Sequence, residues 1–269
     1  MAHVSDAPVY TNLLSLHGQG FVVLGAGQGM GEQTAIALHQ LGARVLCVDL
    51  NGAAAERVAA VVGGHAMAAD VTWRERAQGV FAEADRLFGD DFRGVVDIVG
   101  GVHARDVSDM AEDDWARQFD LDFKHAYLAI QHAAPLLAAN GGGTMVFLGS
   151  LAGTRVRTGR MLPYAIAKAA LHQLVQGSAK QWARQGVRMN VVAPGLVRSA
   201  RLDALFEPSF WAAQSQEIPL GYPAQNADVA AAVLFYCTAM SRHITGTVLA
   251  VDGGSHMNNE STYAPKSAA

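Results

Sequence analysis

Apolar positions in this chain gather into seven short runs separated by longer amphipathic stretches. The runs "GFVVLG" (20–25), "ARVLCVDL" (43–50), "HAMAAD" (65–70), "VVDIVG" (95–100), "GTMVFLGS" (143–150), "VRMNVVAP" (187–194) and "GTVLAVDGG" (246–254) show no in/out polar alternation. That is the pattern of strands covered on both faces in a parallel sheet. The stretches between them, 29–42, 52–62, 72–88, 112–139, 160–185 and 227–240, predict helices. In the fourth, Trp115, Phe119, Phe123, Ala126, Tyr127 and Ile130 recur at spacings of three and four and predict one continuous apolar stripe. The strand–helix alternation predicts an α/β fold: a single-domain, Rossmann-like doubly wound parallel sheet over residues 1–269, with helices on both faces and right-handed crossovers. Residues 196–226 break the alternation with Pro208, Pro219 and Pro223, and an irregular insertion of that length predicts a lid over a site. The polar tail 255–269 is expected either to be loose or to pack on a partner chain.

Composition narrows the class. Of 269 residues, 51% are hydrophobic and 16% charged, enough to bury one sizeable core. A net charge of −4 argues against a nucleic-acid or anionic-membrane partner. No apolar run approaches the length of a membrane span. Cys47 and Cys237 lie far apart in apolar contexts, with no metal-ligand spacing, and read as buried thiols in a reducing compartment. The first residues lack the charged-then-apolar layout of a signal peptide, so the expected location is the cytoplasm.

The first candidate chemistry lies in "VLGAGQGMGEQTAIALHQLG" (23–42). Gly25 ends a predicted strand, and Gly29, Met30 and Gly31 open a predicted helix, whose free N–H groups hold phosphate oxygens. Asp49 closes the next strand. A carboxylate there accepts from both hydroxyls of an adenosine ribose and repels a 2′-phosphate, which favours NAD over NADP. "VLGAGQG" also looks like the first motif of S-adenosylmethionine-dependent methyltransferases, so this region alone leaves a dinucleotide and a methyl donor both open.

The second lies in "SLAGTRVRTGRMLPYAIAKAAL" (150–171). Tyr164 and Lys168, four apart at a helix start, share a face. A free tyrosine titrates near about 10, and a neighbouring ammonium favours the phenolate; lowering it by about 3 units takes on the order of 4 kcal/mol. Ser150 ends a strand and so points to the same carboxyl edge.

With these residues the chain resembles the short-chain dehydrogenase/reductase family, in its compact single-domain branch, from about residue 18 to 256. Gly25-x-x-x-Gly29-x-Gly31 is similar to that family's cofactor motif, and Ser150 with Tyr164-x-x-x-Lys168 to its catalytic motif. "APG" at 193–195, holding Pro194 and Gly195, with Val197 and Ser199 following, resembles the loop that closes over nicotinamide, and "VDGG" at 251–254 its last strand. The resemblance implies that Tyr164 exchanges a proton with an alcohol or ketone oxygen and also contacts the cofactor, that Lys168 binds the nicotinamide ribose and lowers the pKa of Tyr164, and that Ser150 orients the substrate. It implies that Asp70 and Val71 meet the adenine, and that Gly100 permits close approach of the adenosine. Asp70 is equally an N-cap for the helical run from Thr72. A homotetramer or homodimer, formed through the helices at 112–139 and 160–185, is implied as well.

Three departures stand out. Leu24 replaces a frequent threonine that ties the glycine loop to the core, and "VGGV" (99–102) replaces Asn-Asn-Ala-Gly. Asp122 falls, counting seven from Trp115, where the family places an asparagine in its proton relay; it is either a relay residue or structural. Met161 beside Tyr164, with Leu205, Phe206, Phe210 and Trp211 in the insertion, either forms an apolar lid over the substrate or packs the lid's own helix. The expected activity is hydride transfer between NAD(H) and an apolar or cyclic secondary alcohol or ketone. The alternatives are a cofactor-binding protein with little turnover, motivated by the altered 99–102 segment and Asp122, and a methyltransferase.

Overall fold

Seven strands form one parallel sheet in the order β3-β2-β1-β4-β5-β6-β9. They are β1 Gly20–Leu24, β2 Arg44–Asp49, β3 His65–Ala68, β4 Phe92–Asp97, β5 Gly143–Leu148, β6 Val187–Pro194 and β9 Val248–Val251. The computed structural model describes residues 8–155 and 159–257, so most of the polar tail lies outside the described residues. Every residue of β1 is buried, as its unbroken apolar run requires when helices cover both faces. On one face Leu24, Phe81, Phe92, Leu137 and Phe147 share a core with α3 (Arg74–Phe88), α5 (His125–Ala139) and α6 (Leu162–Trp182). On the other, Phe21, Val23, Leu38, Val45 and Val233 pack with α1 (Gly29–Gln40), α2 (Gly52–Val62) and α9 (Asn226–Cys237).

Local sequence explains the helix boundaries. The Asn51 side chain accepts the Ala54 N–H at 3.2 Å and caps α2, which ends on Gly63 in the left-handed region. Gln225 and Asp228 form a capping box on α9. Both cysteines are buried, and burial pushes the Cys47 and Cys237 thiols up to about 12.

Two expectations are corrected. The stretch 112–139 is not one helix: α4 (Glu112–Phe119) and α5 are joined by a π turn, Asp120–Lys124. The apolar stripe persists in part across this wider turn: Trp115, Phe119 and Phe123 meet ring to ring, and Phe123, Ala126 and Ile130 join the core. Ala126 is fully buried, whereas Trp115 and Tyr127 are 38% and 39% exposed. Nor is 196–226 irregular throughout. It holds α7 (Ala200–Asp203), α8 (Pro208–Gln216) and a small parallel pair, β7 (Val197–Arg198) with β8 (Ala224–Gln225). Pro208 opens α8, where its missing N–H costs nothing. Among the described residues no helix is long and apolar enough to cross a membrane.

Candidate active site

The strand order reverses at β1, whose neighbours are β2 and β4, and the crevice outside the carboxyl ends of such strands is where ligands bind. A cleft of about 810 Å³ opens there. It is lined by Gly25, Gly29, Met30, Asp49, Asp70, Val71, Gly100 and Ser199, all singled out from the sequence. Gly31 acts from behind: a Cβ there would sit 1.9 Å from the Gly25 carbonyl oxygen, so only glycine lets α1 approach the loop. Pro194, Gly195 and Val197 lie outside the lining. Gly195 instead packs on Asp252, where a Cβ would come within 2.7 Å of the aspartate's own Cβ.

Asp49 ties the glycine loop down. Its Oδ2 accepts the Gly27 N–H at 2.8 Å and its Oδ1 the Asn51 N–H at 2.9 Å. This contact supplies an anchor for the loop in a chain that has Leu24 in place of a polar tie. The Arg57 guanidinium also reaches the loop, donating to the Gly27 carbonyl at 2.8 Å, and pairs with Glu32 at 2.6 Å. Hydrogen bonding from Arg57 holds the Glu32 carboxyl below the usual carboxylate range. Asp70 Oδ1 accepts from the Thr72 N–H and hydroxyl at 3.0 and 2.6 Å, closing the turn that leads into α3.

A second group gathers behind Gly100. The Lys168 ammonium donates to the Leu148 carbonyl at the end of β5 at 2.9 Å and pairs with Asp122 Oδ1 at 3.3 Å; both side chains are buried. Asp122 also accepts from the Gly101 N–H at 3.1 Å and from Gln118. Gln118 donates to the Gly101 carbonyl at 2.8 Å and accepts the His103 N–H at 3.1 Å. Burial pushes the Asp122 carboxyl above the usual carboxylate range, against the pull of Lys168 and the Gly101 amide. A Cβ at Gly100 would lie 2.6 Å from Asp122 Oδ1 and 2.9 Å from Lys168 Nζ, so only glycine leaves room for the pair beside this cleft-lining residue. Lys168 Nζ is 5.9 Å from the centre of the Tyr164 ring, one turn up α6. The structure thus brings Asp122, Lys168 and Tyr164 together.

Ser150 ends the run from β5, and its Oγ accepts the Ala152 N–H at 3.1 Å. Its backbone N–H donates to His172 Nε2 at 3.5 Å. Burial, helped by the Lys168 charge, pushes the His172 imidazole down to about 4. A histidine so depressed takes up its proton more readily in the unfolded chain. Its stabilisation is complete above about pH 6.5 and drains away as the pH falls towards 4. The expected cost between pH 7 and pH 4 is on the order of 3 kcal/mol. Urea unfolding at both pH values measures it, and His172→Gln removes that part of the acid sensitivity.

The insertion's aromatic residues pack on one another. Phe206 and Phe210 stack at 4.1 Å, both meet Trp211 edge-on, and the Arg198 guanidinium lies 5.2 Å over the Trp211 ring. Trp211 is buried, Leu205 is 66% exposed, Met161 is half-buried, and none of the five lines the cleft. Sequence reading missed other lining residues: Gln33, Leu121, Arg201 and Asn226. Leu121 adjoins Asp122 and was within reach of the same argument. Asn226 arrives from α9, more than 190 residues after the glycine loop, with no local signal.

Comparison with known proteins follows the same lines. A family model described as Enoyl-(Acyl carrier protein) reductase matches residues 25–256. Galactitol 2-dehydrogenase (L-tagatose-forming) of Cereibacter sphaeroides is 31% identical over 250 residues, covering 91% of this chain and 98% of its own. The 7alpha-hydroxysteroid dehydrogenase of Escherichia coli (strain K12) is 31% identical over 249 residues, covering 90% and 95%. Among solved structures, a 7 alpha-hydroxysteroid dehydrogenase complexed with NADH and 7-oxo glycochenodeoxycholic acid superposes with a TM-score of 0.85. The pair is 29% identical, and the match covers 91% of this chain and 96% of that one.

Proposed function

The chain belongs to the short-chain dehydrogenase/reductase family, oxidoreductases acting on CH–OH groups, and from that premise we propose that it transfers hydride between NAD(H) and an apolar or cyclic secondary alcohol or ketone. The family match sets the methyl-transfer reading aside. The observation that carries the proposal is the buried Asp122–Lys168 pair behind Gly100, with Tyr164 on the same helix face.

The residues fit a dinucleotide: Gly31 lets the start of α1 approach the loop, and Gly25 and Gly29 line a cleft large enough to receive it. A bound nicotinamide supplies or accepts the hydride. The chain's own groups do the rest. In this reading the Tyr164 hydroxyl exchanges a proton with the substrate oxygen, and the Lys168 ammonium stabilises charge developing on the phenol oxygen and binds the ribose. Ser150 Oγ already accepts from Ala152, which leaves its own proton to donate to the substrate oxygen. Asp122 fixes the Lys168 head. Gly25, Gly29 and Met30 would hold the diphosphate, with Gly31 letting the helix approach behind them; Asp70, Val71 and Gly100 would flank the adenosine; and Ser199, which lines the cleft, would face the nicotinamide with Pro194, Gly195 and Val197 supporting it from outside the lining. Residues 196–226 would form a lid whose Phe206, Phe210 and Trp211 pack on one another, with Leu205 exposed and Met161, just before Tyr164, outside it.

Asp49 favours NAD over NADP, and the commitment of Arg57 to Glu32 and Gly27 keeps that cation from a 2′-phosphate. Calorimetry is expected to give NAD at least about tenfold tighter than NADP, a gap of about 1.4 kcal/mol. Asp49→Ser narrows it, and tighter NADP binding to the wild type overturns the assignment. Turnover is tested by NADH consumption with 7-oxo glycochenodeoxycholic acid and cyclohexanone, and NADH formation with galactitol. Asp122, in place of an asparagine, favours a second reading, a cofactor-binding protein with little turnover; no activity across a broad panel of alcohols and ketones supports it. We place the protein in the cytoplasm as a homotetramer or homodimer joined through α4, α5 and α6, a reading supported by the exposed Trp115, Tyr127 and Ile166 on those helices. Analytical ultracentrifugation decides the assembly.

A further inference from the structure

One buried group beside the site has no part in the reaction described. His172 lies on α6 one turn beyond Lys168 and two beyond Tyr164, and is 4% exposed. The three side chains therefore run down one face of the helix. The imidazole is held against the turn that carries Ser150. A Cβ at Gly149 would come within 2.3 Å of His172 Nε2, and one at Gly153 within 2.7 Å of its Cε1. Glycine on both sides of the Ser150 turn is thus what lets the ring seat there. Of the ring atoms, Nε2 faces the Ser150 N–H, at 3.5 Å. An Nε2 that accepts a hydrogen bond requires the ring proton on Nδ1.

We propose that His172 is a positioning residue: its neutral imidazole accepts the Ser150 N–H, fixes the backbone of that turn, and so aims the Ser150 hydroxyl at the substrate oxygen. The inference rests on the reading of Ser150 as the group that orients substrate. A leucine or methionine would fill the same space but leave the Ser150 N–H without this acceptor, free to swing its side chain away.

A double-mutant cycle tests it, with NADH and whichever of 7-oxo glycochenodeoxycholic acid and cyclohexanone is turned over faster. His172→Met is expected to lower kcat about tenfold, with the KM for NADH unchanged. His172→Gln, whose Oε1 reaches the place of Nε2, restores most of it. In a Ser150→Ala background His172→Met costs no more than about twofold, because the group it aims is gone. An equal fold-loss in both backgrounds overturns the proposal. A Ser150→Ala variant with wild-type kcat instead overturns the reading of Ser150, so the two failures are distinct. Amide exchange supplies a readout free of turnover. The Ser150 N–H is expected to exchange at least about tenfold faster in His172→Met than in His172→Gln, and equal rates overturn the proposal. Should His172→Met not fold, His172→Asn, too short to reach, takes its place against His172→Gln with the same expected outcomes.

Discussion

Tyr164→Phe is expected to lower turnover by about 10²–10⁴-fold while leaving NAD affinity within about twofold. The substitution removes one oxygen and keeps the ring, which packs at the start of α6 with the Lys168 ammonium 5.9 Å from its centre. The residues lining the cleft include the glycine loop, Asp49 and Asp70 but not Tyr164, so most of the cofactor's contacts are expected to survive the substitution. The loss falls on the step in which the phenol hydroxyl exchanges a proton with the substrate oxygen, equivalent to about 3–5 kcal/mol of barrier. It therefore appears in kcat and in kcat/KM alike, the signature of an interaction made in the transition state. Steady-state kinetics with NADH beside calorimetric NAD titration separates the two quantities. Turnover retained in the variant removes Tyr164 from the chemistry, whatever the family resemblance implies.

The parts of this site legible in the sequence are those whose spacing is local. Tyr164 and Lys168 are one helical turn apart, so the period of the helix alone puts them on one face. Ser150 and Asp49 each stand at or just beyond the end of an apolar run, and parallel strands deliver such residues to one edge of the sheet. The run 187–194 coincides with β6, where every residue but Arg188 is buried. The π turn at Asp120–Lys124 was not legible. It carries the inward Asp122, whose partners Gly101, Gln118 and Lys168 come from three other places in the chain. No helical periodicity announces a turn where such contacts are made. Asn226 was invisible for the same reason, and His172 because a lone histidine on a buried face carries no motif. The prolines of 196–226 suggested irregular chain, whereas Pro208 serves as a helix start.

Lys168→Met carries the second large effect, and it is one of stability as well as rate. The variant leaves Asp122 buried beside Gly101 and Gln118 with its cation gone. An unpaired buried charge of this kind costs about 3–5 kcal/mol. Burial already raises the Asp122 carboxyl, and Lys168 is the largest force opposing that rise, so its removal raises it further. A carboxyl raised in the folded state favours folding fully only below its unfolded value of about 3.9, and that favour is lost as pH climbs through the folded value. The Lys168→Met defect is therefore expected to be full at pH 8 and smaller at pH 5, where the carboxyl escapes by taking a proton. Adding Asp122→Asn removes the stranded charge while keeping an acceptor for the Gly101 N–H, and is expected to return at least half of the lost stability without returning turnover. Urea unfolding at the two pH values measures this directly. A single-variant defect that is the same at both pH values, or that Asp122→Asn does not relieve, means the pair is not electrostatically coupled in the folded protein. Asp122→Asn alone completes the argument: a changed rate or a displaced pH profile gives Asp122 a part in the proton path through Lys168, and unchanged values confine it to holding the lysine in place.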